Sequence, residues 1–411
     1  MAINLRQVPT ALKQPELPRL WIWLLLLALF LVSGTAYQMS VNLENKAIDA
    51  EAFWEKALVI PAAIWFTLLV LRMVYYSGDV ATVDKLNAKR EKAIQQQVQL
   101  GQRYLNILDV SLHTALRFPD DQDGKKQWQA IQQKQQALKT QPSWQSERGI
   151  RHSRLNATAE QSPEQILNQA MTATINQLSK TLASFPSDLP LHLLLENHIG
   201  IPDINFQKMW QQHFNDAHIQ QAIEWLHGSG LQAIDEWLDH CSNKSSLLLV
   251  LAVNFAPVQL EGSAESLVYL LLANPGLPDL PKPLAQLHRP EQAYSVTEED
   301  LNYAVQHAAL WGDATTEQIK SGWLVGIHSS WQQRVAMALK ALSLPLNIGQ
   351  DLHDINSTLG YPGPAACWLT IACASSSLNE GPQIMLSGTG LETEQLWATL
   401  IVPAKDQNSN T

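Results

Sequence analysis

Two long apolar runs near the N-terminus constrain this chain more than any other feature. Residues 21–37 read WIWLLLLALFLVSGTAY without a charge, and residues 57–76 read ALVIPAAIWFTLLVLRMVYY with Arg72 as the one charge. A helix needs about 20 predominantly apolar residues to cross the hydrocarbon core of a bilayer, and both runs approach that length. Trp21, Trp23 and Tyr37 flank the first run, and Tyr75 and Tyr76 close the second, as aromatic residues do at membrane interfaces. Arg72 lies about one turn from that end, where its long stem reaches the interface. The competing reading is a signal peptide cleaved near Gly34-Thr35-Ala36, followed by a buried helix. The second run is long enough to span by itself, which favours a transmembrane hairpin.

The flanks set an orientation. Arg6, Lys13 and Arg19 precede the first run against Glu16, and Lys85, Lys89, Arg90 and Lys92 follow the second. The segment between the runs holds Glu44, Asp49, Glu51 and Glu55 against Lys46 and Lys56. Basic residues stay inside, so both termini are expected in the cytoplasm of a bacterial inner-membrane protein. The net charge of −10 and the lack of a basic stripe disfavour nucleic acid as a partner. The 3 cysteines, Cys241, Cys367 and Cys373, have neither CxxC nor Cys/His ligand spacing. That argues against a disulfide framework or a zinc site.

The expected organisation is a tail over 1–19, a hairpin over 20–77, a helical stalk and polar loop over 78–163, an α/β domain over 164–405 and a tail over 406–411. Leu86, Ala93, Leu100 and Ile107 recur every seven residues, but Arg90 and Gln97 break a coiled-coil seam, so a solvated helix through about residue 141 is expected. Beyond it, short apolar runs at 189–196, 246–255, 267–273, 323–327 and 396–402 read as buried strands. Helical patterns at 166–182, 219–238, 298–311, 332–342 and 365–374 alternate with them, the signature of an α/β domain. No glycine-rich phosphate loop is present, and no cofactor is expected.

Several segments, in order, resemble the thiolase and β-ketoacyl synthase superfamily. HGSGLQAI at 227–234 is similar to the segment in which a nucleophilic cysteine precedes G-S-G-L-Q-A-I at the start of a buried helix. SLLLVLAVNF resembles the strand after that helix, and Glu261-Gly262-Ser263-Ala264 with LVYLLLA a contracted form of the next. GIHSS at 326–330 resembles the histidine-glycine-threonine loop, NSTLGYPGPAA at 356–366 the stretch opening a late helix, and IMLSGTGLETEQLWATLIVPA the closing hairpin. The resemblance implies a thiolase-like layered α/β fold. It also implies that the strand before the nucleophile helix pairs across a two-fold axis, which leaves a homodimer open.

The departures bear on chemistry. The nucleophile position holds His227, the family's lysine falls on Asn356 and its second histidine on Tyr361, while His328 keeps the first. A thiolate at a helix N-terminus with histidine partners is what the family's acyl transfer needs. The expectation is therefore a pseudo-enzyme with no catalytic residue. His227 and His328 read as hydrogen-bonded histidines rather than metal ligands, and Cys367 and Cys373 as core residues. His240 and His353 read as surface residues, and the synthase-like TIACASSS at 370–377 as coincidence. A dead enzyme fold on an anchor leaves binding: an adaptor or scaffold for a protein partner or client at the membrane, with a layout resembling accessory proteins of type VI secretion. The alternatives are a divergent acyl-transferring enzyme centred on His328 or Cys373, and a structural subunit of a membrane complex.

Overall fold

The computed structural model describes every residue except 1–7, 45–49, 158–160, 279, 296, 328, 343, 348, 377–380, 389–394 and 405–411. The chain divides into two compact units, Asn4–Gln97 and Val98–Thr411.

The first unit is a helical hairpin. Helix α1 (Leu20–Glu44) is followed by α2 (Ala50–Trp54), a π turn (Glu55–Val59) and α3 (Ile60–Gly101), whose last residues belong to the second unit. Two stretches, Leu20–Val41 and Ala52–Gly101, are long and apolar enough to span a membrane, and their apolar windows are 0% and 6% buried within the protein. The second is therefore no core helix, as the signal-peptide reading required. Both helices outrun the expected 21–37 and 57–76. Gly34 lets them meet: a Cβ there would lie 2.5 Å from both Ala57 O and Pro61 Cγ. Trp65 Nε1 donates to Trp23 O at 2.8 Å. Replacing Gly34 by isoleucine is expected to destabilise the helix pair by about 1–3 kcal/mol through overpacking. The readout is faster proteolysis of the hairpin in micelles. Gly78→Ile is the control, because a Cβ at Gly78 meets nothing within 4 Å.

Ahead of α1, residues 9–14 run back along α3. Arg90 Nε donates to Pro9 O (2.6 Å), Leu12 and Asn87 exchange bonds of 2.9 and 3.0 Å, and Gln14 Nε2 donates to Asp84 Oδ1 (3.2 Å).

The second unit is a duplicated α/β domain. Its elements are β1 (Tyr104–His113), α4 (Lys125–Gln132), β2 (Lys139–Gln141), β3 (Ile150–His152), α5 (Pro163–Leu182), β4 (Leu191–Ile199), α6 (Phe206–Asp216), β5 (Ile223–Leu226), α7 (Gly230–His240), β6 (Leu247–Phe255) and β7 (Ser266–Ala273). A second series follows: β8 (Ala285–His288), β9 (Glu291–Ala293), α8 (Glu298–Trp311), β10 (Ser321–Val325), α9 (Ser329–Ala341), β11 (Leu352–Asp354), α10 (Ile355–Thr358), α11 (Ala366–Ser376), β12 (Gln383–Gly388) and β13 (Leu396–Pro403). The main sheet runs β11-β10-β12-β13-β8-β1-β7-β6-β4-β5, with β9 on β13. From the central antiparallel pair β8–β1 outward, each half repeats one plan: first strand, the two strands of the closing hairpin, then a parallel pair at the edge.

Burial sorts the helices into layers. Helix α11 is buried from Ala366 to Ser375, as a helix apolar all round must be. It shares one core cluster with the inner face of α7 (Leu231, Ile234, Trp237, Leu238) and with strands from both halves. Helices α5 and α6 cover the outer face of the first half, and α8 and α9 that of the second. Ser162 and Gln165 close a capping box on α5, and Thr297 accepts from Asp300 N to cap α8, the pairings that satisfy otherwise orphaned first-turn amides.

The layered α/β domain expected from the sequence is present, with strands β4, β6, β7, β10 and β13 near the expected runs. Three expectations change. The helix expected through residue 141 ends at Gly101, and Ile107 lies in β1, so the expected boundary at 164 falls inside the first half. The expected helix 219–238 is strand β5 followed by α7, broken where Gly228 and Gly230 take positive φ. His353 is half-buried and stacks on Trp323 at 4.4 Å, while His240 is exposed as expected.

Candidate functional site

The segments that carry the resemblance converge where β4, β6, β10 and β12 end and α7 begins. Loop residue Gly326 (φ +66°) lies back to back with Gly388: a Cβ on Gly326 would sit 2.5 Å from Gly388 O and 3.3 Å from the Tyr361 ring. Asn356 Oδ1 accepts from Gly326 N at 3.1 Å. Tyr361 N donates to Gly262 O (2.8 Å) and Tyr361 O accepts from Ala264 N (2.9 Å), which ties the stretch opening α11 to the loop before β7. Gly360 (φ +99°) permits that approach, since a Cβ would lie 2.6 Å from Ser263 O. The structure thus brings Asn356 and Tyr361 together around Gly326. His328 lies outside the described residues.

His227 sits exposed on the loop between β5 and α7. At the N-terminus of α7, Glu196 from within β4 holds the place. Its Oε1 accepts from Gly230 N (2.7 Å) and from Trp368 Nε1 (3.0 Å). Burial pushes its carboxyl pKa up, against those two donors. Cys367 is next along: burial, with the nearby Glu196 charge adding, raises its thiol well above the ordinary range. Burial and the neighbouring Cys367 push the Tyr361 hydroxyl up to about 12. Burial also raises the Cys373 thiol. Both buried thiols are held protonated, the inert state for a nucleophile. Cys241 caps the far end of α7.

Sequence reasoning missed Glu196, Trp368 and Asn254. Asn254, 1% exposed, donates from Nδ2 to Ala264 O (2.7 Å) and accepts at Oδ1 from His198 Nδ1 (3.1 Å, in the tautomer protonated there). Gly363 packs on it, a Cβ there lying 2.7 Å from Asn254 Oδ1. The signal available was a polar residue inside or at the end of an apolar run: Asn254 in SLLLVLAVNF and Glu196 in LPLHLLLE. Such groups must find a buried partner. Among the described residues, no group of three His, Cys, Asp or Glu is placed to hold a metal ion. Among the described residues the arrangement offers hydrogen bonds and an apolar floor, with both of its buried thiols protonated.

No known family's sequence profile matches the chain, and no curated protein matches it. Solved structures similar to it include the ishigamide ketosynthase/chain length factor: 12% identity, 74% of this chain, 100% of that chain, TM-score 0.49. A β-ketoacyl synthase from Burkholderia phymatum is 12% identical over 74% of this chain and 100% of its own, with a TM-score of 0.48. The 3-oxoacyl-[acyl-carrier-protein] synthase III of Aquifex aeolicus is 10% identical over 73% and 99%, with a TM-score of 0.41.

Proposed function

We propose that this chain is a membrane-anchored pseudo-enzyme whose thiolase-like domain serves as an adaptor or scaffold for a protein partner at the cytoplasmic face. The observation that carries the reading is the carboxylate of Glu196 on the first amide of α7. A helix N-terminus lowers a thiol's pKa and stabilises developing negative charge. Here that electropositive end is already answered by a resident acid, and the residue at the nucleophile position is an exposed histidine. The buried thiols offer no substitute. A layout like that of type VI secretion accessory proteins fits this role, and the partner would then be a component of that apparatus.

The anchor reading is a hairpin with both termini cytoplasmic. It is supported by residues 9–14 pairing with 84–90 of α3. The segment before the first apolar run then shares a side with the segment after the second. The basic flanks assign that side to the cytoplasm. The edge strand β5, paired only with β4, offers the surface for a homodimer.

The test is intact-mass analysis of the full-length protein in micelles after incubation with acyl-thioesters. No acyl adduct is expected. An adduct lost in Cys367→Ser or Cys373→Ser sinks the pseudo-enzyme reading in favour of acyl transfer.

A further inference from the structure

A cationic cleft lies away from the α7 N-terminus, at the other end of that helix. Gln99, Gln102, Arg103 and Tyr104 form one wall, the loop Ser242–Ser245 the other, and Asn274–Gly276 the base, enclosing about 470 Å³. No acidic residue lines it. Arg103 makes one bond, from Nη1 to Leu238 O at 2.8 Å, and neither it nor the exposed Lys244 has a carboxylate partner among the described residues.

The cleft is braced. Asn274, 2% exposed, donates from Nδ2 to Cys241 O and Lys244 O, both at 2.8 Å, and accepts at Oδ1 from Trp237 Nε1 at 3.1 Å. Those bonds fix the loop that carries Lys244. They also answer carbonyls at the C-terminus of α7 that would repel an anion, as Arg103 answers Leu238 O.

We infer that this cleft binds the phosphate group of a phosphomonoester. Two cations without counter-charge match a dianion, whereas a monocarboxylate would leave one charge unanswered. Ser242, Asn243, Ser245, Gln99 and Gln102 supply neutral donors around them. The proposal is independent of the adaptor reading. The same chemistry serves a soluble phosphate ester or a phosphatidic acid headgroup.

The experiment is calorimetric titration of the full-length protein in nonionic micelles with glycerol 3-phosphate and, separately, with short-chain phosphatidic acid. Saturable binding is expected, weakened at least about tenfold by Lys244→Glu, the loss of one charge-assisted contact. The same loss is expected for Gly276→Leu: a Cβ there meets nothing within 4 Å and the backbone is not left-handed, so the side chain obstructs the cleft without strain. Binding of glycerol 3-phosphate identifies a soluble ester. Binding of phosphatidic acid alone, with the same sensitivity, identifies a headgroup. Absence of saturable binding by both probes, or wild-type affinity in the two variants, overturns the proposal.

Discussion

Replacing Arg289 by methionine is expected to cost the folded chain about 3–5 kcal/mol, the range for breaking a buried ion pair by removing one partner. Arg289 is 1% exposed. Its Nε donates to Asp235 Oδ1 at 2.6 Å, its Nη2 to Asp235 O at 3.2 Å and to the Asp239 carboxylate, and its Nη1 to Leu100 O at 3.0 Å. Burial alone would lower the guanidinium's pKa, and the two aspartates more than offset it. The arginine follows β8 in the second half, and both acids lie on α7 in the first, so the cluster clamps the central helix to the opposite half. Methionine fills the space but leaves the Asp235 carboxylate, 7% exposed, without its cation. Arg289→Met with Asp235→Leu and Asp239→Leu is expected to recover most of the loss, because an apolar replacement of the whole group removes the stranded charge. Urea unfolding of the full-length protein in micelles, followed by near-ultraviolet circular dichroism, gives both numbers. A single-variant loss below about 1 kcal/mol would place the cluster among exposed pairs and contradict the burial argument.

That clamp shows where the sequence stops being legible. Asp235 and Asp239 stand four apart on α7, a spacing that reads as a solvated acidic stripe, and Arg289 sits in LHRPEQ with no local pattern. Only the antiparallel meeting of β8 and β1 brings them together. Strands β6 and β7 were legible because every residue is buried and nearly all are apolar. Strand β1 was not: YLNILDVSLH carries Asn106, Asp109, Ser111 and His113. Asp109 is satisfied by distant chain, accepting from Tyr269 Oη (2.6 Å), Thr181 Oγ1 (2.5 Å) and Gln177 Nε2 (2.9 Å). Periodicity cannot see partners of that kind. The same holds at the candidate site. Local motif order named Asn356 and Tyr361, which the fold brings around Gly326, whereas the bond from Gly230 N to Glu196 needs β4 beside the start of α7, a fact of topology.

Glu265 sets a pH dependence of comparable size. The carboxyl is 1% exposed. It accepts from Trp144 Nε1 (2.6 Å) and Ala256 N (3.1 Å) at Oε1, and from Leu155 N (3.0 Å) at Oε2. Burial outweighs those donors and pushes its pKa from 4.5 to about 7. The folded state therefore holds a proton that the unfolded chain releases near pH 4.5. This group's contribution is fully present below that pH and is lost as pH rises to about 7, a fall of about 3 kcal/mol at roughly 1.4 kcal/mol per unit. Whole-protein stability does not show that fall cleanly. Burial holds His113 down to about 3 and His353 to about 4, so each adds stability as pH rises toward 6.5, with the opposite sign. The difference between wild type and Glu265→Gln isolates the term, since the histidines cancel. Glutamine keeps its oxygen toward Trp144 and Ala256 and turns its amide against Leu155 N–H, at a pH-independent cost of about 1–3 kcal/mol. Wild type is then expected to lead the variant in acid and to lose about 3 kcal/mol of that lead between pH 4.5 and 7.5. A lead that stays level across that window would mean that the three donors, rather than burial, govern the carboxyl.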